Sequence, residues 1–168
     1  MATQRVISVK STEQGAVFDA TGQYRYHLWR VWDAGLPRVA FVLLNPALAD
    51  ATRDDPTLRR CLGFARAWGY GRLDVVNLFA YRTPSPAVLR RAPDPVGPDN
   101  DAVLVEVTRQ ANLVVVGWGN GGQWLGRDVA VRALLDPLNL TCLGLTKLGQ
   151  PRHPLFLPAA SAQQPFGP

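Results

Sequence analysis

Asn45 stands directly before Pro46 at the end of the apolar run "AFVLL", and Asn77 interrupts a second such run, "VVNLF". A side-chain amide both donates and accepts, so amides at strand ends can read the polar edge of a ligand. Beyond Asn45 come Asp50, Arg53, Asp54, Asp55, Arg59 and Arg60. The carboxylates can take a proton and the arginines can hold an anion. Further on lie Gly117-Trp118-Gly119-Asn120 and the segment "TKLGQPRHPLF", with Lys147, Arg152 and His153. A strand-to-helix crossover needs only a turn, so this density of polar groups calls for a second explanation.

Each group also has a structural role open to it. An amide before proline can cap the loop it begins. Asn77 can bridge to a neighbouring loop, since a buried amide must be hydrogen-bonded. Trp118 can be packing and His153 a loop residue. Asp50, Asp54 and Asp55 can be a helix cap and a solvated turn, and Arg59, Arg60 and Arg66 the wet side of a helix. The "GNGG" at 119–122 can cradle a phosphate at a helix N-terminus. It lacks the lysine of a P-loop, however, and does not fit the dinucleotide fingerprint.

The elements that must position these groups follow from pattern. "RVAFVLLN" (38–45), "RLDVVNLF" (72–79), "NLVVVGW" (112–118) and "LTCLGL" (140–145) are β-branched-rich runs of strand length. Between them the apolar period is helical. One helix starts from Asp55 as N-cap and Pro56 at the first position, with Leu58, Cys61, Leu62 and Ala65 inward. A second covers about 99–110, with Val103, Leu104 and Val107 inward. A third covers about 123–135, with Trp124, Val131, Leu134 and Leu135 inward. Such spacing predicts parallel strands with crossover helices, hence a three-layer α/β/α sandwich around a mainly four-stranded parallel sheet. "YRYHLWRVWD" (24–33) reads as a strand of a hairpin or an edge strand within 1–35. Residues 1–160 form one domain and 161–168 a flexible tail. The proline-rich stretch 82–99 is long for a connection, and such loops are often functional. In an open parallel sheet, ligands bind outside the carboxyl ends of the strands. Asn45, Asn77, the Gly117–Asn120 segment and the loop of His153 all fall there.

Bulk composition narrows the classes. The chain of 168 residues is 47% hydrophobic, enough for one core. Its formal charge of +5 is concentrated in 53–91, where eight arginines face three aspartates. That leans toward an anionic partner, nucleic acid above all. Two cysteines, Cys61 and Cys142, cannot supply the thiolates of an iron–sulfur cluster or a zinc ribbon, and buried free thiols are expected of them. The opening "MATQRVISVK" lacks the apolar core of a signal peptide, and no apolar run approaches the length of a membrane span. A soluble cytoplasmic monomer without membrane contact is expected.

The segment "LLNPALADATRDDPTLRRCLGFARAWGYGRLDVVNLFAYR", with "VVVGWGN" and "LTKLGQPRHPLFLP" later, closely resembles the bacterial DUF1643 family over about residues 20–160. That pattern in turn resembles the uracil-DNA glycosylase superfamily. Its first motif is matched by Asn45-Pro46, its strand-end Asn by Asn77, its "WG" strand end by Gly117-Trp118-Gly119 and its late His-Pro loop by His153-Pro154. The frame departs at Leu44 and Ala47, where the superfamily favours glycine. Its last motif reads His-Pro-Leu without a serine, and the cluster cysteines of one branch are absent.

The resemblance implies a metal-independent and cofactor-free enzyme that hydrolyses the N-glycosidic bond of uracil or another modified base, in DNA ahead of RNA. Asn45 would hold the attacking water, with Asp50, Asp54 and Asp55 as alternative bases. Asn77 would read the flipped base, bounded by Pro46, Trp118 and Asn120. His153 would donate to the departing base, worth about 2.7–4 kcal/mol. Phosphates would be held by Arg53, Arg59, Arg60, Arg66, Arg82, Lys147 and Arg152. Two alternatives stay open. One is a protein of this fold that binds nucleic acid without that chemistry. The other is an enzyme on free nucleosides or nucleotides, with the 82–99 loop closing over a small pocket.

Overall fold

The computed structural model of the chain describes residues 4–9 and 14–167. Strands β1 (Gln4–Val9), β2 (Gln14–Asp19) and β3 (Arg25–Val31) form an antiparallel meander. They are followed by β4 (Arg38–Leu43), helix α1 (Pro56–Ala67), β5 (Arg72–Asn77) and the short α2 (Pro86–Arg91). Then come α3 (Asn100–Gln110), β6 (Leu113–Val116), α4 (Arg127–Leu135), β7 (Leu140–Cys142) and β8 (Gln164–Pro165). All eight strands join one mixed sheet in the order β1-β2-β3-β5-β4-β6-β7-β8. The run β5-β4-β6-β7 is parallel and the remaining pairs are antiparallel. The chain leaves β4 for β5 on one side and then crosses to β6 on the other. The carboxyl end of β4 is therefore a switch point, where sheets of this kind open a crevice.

Strand alternation explains why helices cover both faces. Val39, Phe41, Leu43, Leu73, Val75 and Val115 point to one side, where Leu58, Cys61, Phe64 and Ala65 of α1 pack. Ala40, Val42, Val76, Val114 and Val116 point to the other, against Leu104 and Val107 of α3 and Val131 and Leu135 of α4. Helix α1 begins as its sequence dictates: Asp55 Oδ1 accepts from Leu58 N at 2.8 Å and Pro56 opens the first turn. Cys61 and Cys142 are buried free thiols. Among the described residues, no helix is long and apolar enough to cross a membrane.

Four expectations are corrected. The four-stranded parallel run is as expected, but the whole sheet is larger, because β3 covers the edge that β5 would otherwise expose and β8 covers that of β7. Residues 161–168 are not a loose tail over their described part. Phe166 N donates to Leu140 O at 2.8 Å, and its buried ring meets Trp118 edge-on at 5.7 Å. Arg132 lies 4.6 Å over that ring and donates to Gly167 O. The helix expected from 123 starts at Arg127, since Leu125 takes φ 56° and ends a 3-10 segment over Asn120–Gly126. The proline-rich 82–99 stretch contains α2, capped by Ser85.

One ionic cluster ties the meander to the parallel strands. Asp74 on β5 accepts from His27 Nε2 on β3 at 2.7 Å and from Arg72 at 2.8 Å, with Arg38 of β4 at 3.6 Å. Burial works against the charge on Asp74, but the bonds from His27 and Arg72 outweigh it and hold the carboxyl below its usual range. A carboxyl with a lowered folded-state pKa adds stability above its unfolded pKa and loses it as pH falls through the folded one. Asp74→Asn should cost about 2–3 kcal/mol at pH 7. That is less than a fully buried pair, because both arginines keep some water contact. In urea unfolding the deficit should shrink below about pH 4. A deficit of equal size at pH 7 and pH 3 would mean that Asp74 acts through packing alone.

Candidate active site at the carboxyl ends of β4 and β5

After Leu43 the chain runs irregularly to Asp54, and this loop has few backbone partners of its own. Side chains supply them. Asn45 Nδ2 donates to Pro46 O, Tyr81 O and Thr83 O at 3.1, 3.4 and 2.9 Å, strapping the loop after β5 to the loop after β4. Arg82 donates to Ala47 O and Leu48 O. Arg25 donates to Ala49 O at 3.0 Å, and Arg30 to Asp50 O and Arg53 O. The second oxygen of Asp55 accepts from Ala49 N at 3.2 Å. Ala49 is buried, and a buried backbone group requires such partners.

Asn77 ends β5 and is 2% exposed. Its Oδ1 accepts from Arg25 Nη2 at 3.4 Å. Arginine has only donors, so the amide must show Arg25 its oxygen. The backbone around it is pinned from behind. Asn100 Nδ2 donates to Asn77 O and Leu78 O, and Arg127 donates to Leu78 O.

His153 sits in the loop after β7. A side chain at Gly117 would come within 3.0 Å of Pro154 and 3.2 Å of Arg152 O, so glycine there lets the His153 segment approach the end of β6. His153 Nδ1 accepts from Leu155 N at 3.2 Å. Burial lowers the pKa of the imidazole, with Asp55 opposing. The neutral ring therefore carries its proton on Nε2, as a donor.

Asn45, Pro46, Asn77, Asp55 and His153 line one cleft together with Arg25. The cavity measures about 40 Å³, room for about three waters. It therefore takes the edge of a ring or a small polar group in this conformation. Burial pulls the Arg25 pKa down to about 10, with Asp55 as the main opposing influence. The guanidinium stays charged at neutral pH. Its Nε is buried and has no partner among the described residues.

Other expected site residues lie elsewhere. Trp118 is core: it is 1% exposed, and its Nε1 donates to Gln150 Oε1 at 2.8 Å. A Cβ at Gly122 would fall 2.1 Å from its indole, so that glycine packs on tryptophan. Asn120 accepts from Thr146 Oγ1 at 2.6 Å, outside the cleft. Asp50 caps Thr52 N and Arg53 N, and Asp54 pairs with Arg30 at 3.0 Å. Arg82 holds carbonyls and lies over Phe18, and Arg60 donates to Leu157 O while lying over Phe64. Arg66 stacks 4.7 Å over Trp32 on the exposed side of α1. Arg53, Arg59, Lys147 and Arg152 are exposed, with Arg59 reaching Asp54 O at 3.4 Å.

Arg25 carried no functional signal in its aromatic strand. A register shift between Val17 and Phe18 leaves Tyr26 without an opposite residue and pairs Phe18 with Arg25. Such a bulge re-aims a side chain across the sheet.

The model of a family described as a protein of unknown function, DUF1643, matches residues 25–155, a span that includes every polar cleft residue from Arg25 to His153. No curated protein and no solved structure matches the chain.

Asn45→Asp should destabilise the protein by about 1–3 kcal/mol, because a carboxylate oxygen would face three carbonyls now served by one NH2 group. The midpoint of urea unfolding measures it. An unchanged midpoint would show that the strap to the 81–83 loop is dispensable.

Proposed function

Because the chain belongs to the DUF1643 family, whose description carries no activity, we propose its function from the cleft itself. It is a base glycosylase-like hydrolase acting on the N-glycosidic bond of uracil or another modified base, built on a uracil-DNA glycosylase-like α/β/α layering. The observation that carries this is the contents of one small cleft. A buried cation, Arg25, and two neutral donors, Asn77 and His153, share it with the Asp55 carboxylate and the Asn45 oxygen.

Breaking a C1′–N bond sends the electron pair to the base and leaves positive charge on the sugar. Arg25 and the Nε2–H of His153 favour the first charge, and the Asp55 carboxylate favours the second. Water then bonds to C1′, oriented by Asn45 Oδ1, and Asp55 is the cleft's base for its proton. Asp50 and Asp54 take no part, since their carboxylates serve the loop. A nucleic-acid partner is supported by the rim. The loop of His153 exposes Phe156, 79% accessible, and Leu155 beside Arg152. Apolar side chains of this kind can fill the gap a flipped base leaves in a stack.

A second reading is a protein of this fold that binds nucleic acid without hydrolysing it. It is favoured by the commitment of both Asp55 oxygens and the Asn45 NH2 group to backbone partners.

The deciding assay is base release from single- and double-stranded DNA carrying uracil, hypoxanthine or xanthine. His153→Ala should lower the rate about 10²–10³-fold with substrate binding nearly intact. No base released from any strand by the wild-type protein would leave only the binding function. In binding titrations, removing Arg59 or Arg152 should each flatten the slope of log K against log salt by about 0.9 on a duplex or 0.7 on a single strand. Unchanged slopes for both would show that these cations are merely solvated.

A further inference from the structure

Two segments leave the cleft side by side. On α1, Asp55, Thr57 and Leu58 line the cleft, while Arg59, Arg60 and Gly63 line a second cavity of about 140 Å³. The other segment starts from His153 in the cleft. Its 3-10 turn, Pro154–Phe156, packs on α1, and Ala159 reaches the second cavity. Along the chain Phe156 therefore stands between the two. Its ring tilts against His153 at 5.8 Å. Of the large apolar side chains exposed among the described residues, it is the most accessible, at 79%, and the only aromatic one. Cations stand at both ends of this path. Arg152, beside His153, is exposed, and Arg59 is exposed at the second cavity with only a 3.4 Å bond to Asp54 O. Arg60 is committed to Leu157 O and the Phe64 ring, and the Asp54 carboxylate is paired with Arg30. Arg59 is thus the cation there that a phosphate can reach.

We propose that the path from Arg152 over Phe156 to Arg59 is a docking surface for single-stranded nucleic acid. The base next to the one at the cleft stacks on Phe156, and phosphates on either side of it meet the two arginines. This rests on the nucleic-acid partner of the function above and not on hydrolysis. An accessible aromatic ring flanked by cations holds a single strand without reading its sequence, because every base has a π-face and every linkage a phosphate. In a duplex each base face is already covered by its neighbours. A ring such as Phe156 then gains a partner only at the cost of unstacking a step. An unpaired strand offers its faces free of that cost, so the surface favours it.

The test is fluorescence anisotropy of the intact chain with a labelled DNA of about 12 ordinary nucleotides, alone and annealed to its complement, over a range of salt. The single strand should bind at least about tenfold more tightly than the duplex, the effect of one stacked base. Phe156→Ala should weaken single-strand binding about 5- to 150-fold. It should leave the slope of log K against log salt unchanged, because stacking releases no counterions. Phe156→Trp, which keeps a ring face, should bind at least as tightly as the wild type. The side chain is exposed, so both variants keep the core intact. A duplex bound as tightly as the single strand, no single-strand binding at all, or Phe156→Ala within about twofold of the wild type would overturn the proposal. Single-strand binding that depends on Phe156, with no base released from any strand, would leave this surface standing and remove only the hydrolysis. Base release from duplex DNA with single strands neither bound nor cleaved would do the reverse.

Discussion

The loop between β4 and α1 has to place its backbone carbonyls without a strand or helix to pair them. Arginines perform that task. Arg82 serves positions 47 and 48, Arg25 position 49, and Arg30 positions 50 and 53. Hydrogen bonds from charged donors contribute about 1.5–3 kcal/mol each where they are shielded from water, as the bond from Arg25 to Ala49 O is. The position of the loop then fixes the cleft, because Asn45, Ala49 and Asp55 are all set by it. Part of the basic charge crowded into this region is therefore structural, and only the exposed remainder is free for a partner.

Those donors reach the loop from outside the parallel sheet. Arg25 and Arg30 belong to β3, which joins the sheet antiparallel to β5. The meander therefore does more than protect an edge: it delivers a cation into the crevice at the switch point. The Asp74 cluster links β3, β5 and β4 near their other ends, and so keeps the strand that carries Arg25 in register with the strands that carry Asn77 and Asn45.

Inside the cleft each polar group has been given one role by its neighbours. Arg25 turns the Asn77 amide, a backbone N–H chooses the His153 tautomer, and two backbone N–H groups hold the Asp55 carboxylate. Under the proposed function, groups fixed in this way would need no reorganisation as charge develops.

The sequence alone determined much of this. Four β-branched runs specified the parallel strands, and Asp55-Pro56 specified where α1 begins. Strand ends in a parallel sheet are also where ligands bind, so Asn45, Asn77 and His153 were identifiable as neighbours. Alternation also assigns faces. Asn45 shares parity with Leu43 and Phe41, and Trp118 with Val116 and Val114, which places the indole on the α3 side in the core. What the linear pattern did not contain is the use to which each polar atom is put. Of the arginines that read as phosphate ligands, Arg82 holds carbonyls of the β4–α1 loop, Arg60 holds Leu157 O and Arg66 stacks on Trp32, and these partners meet only in the folded chain. Arg25 is the clearest case. Strict alternation puts Tyr26, Leu28 and Arg30 on one face and Arg25 on the other. One unpaired residue in the register with β2 reverses that below Leu28, turning Tyr26 away and Arg25 into the cleft. A bulge is a property of two strands brought together, so only the tertiary structure decided it.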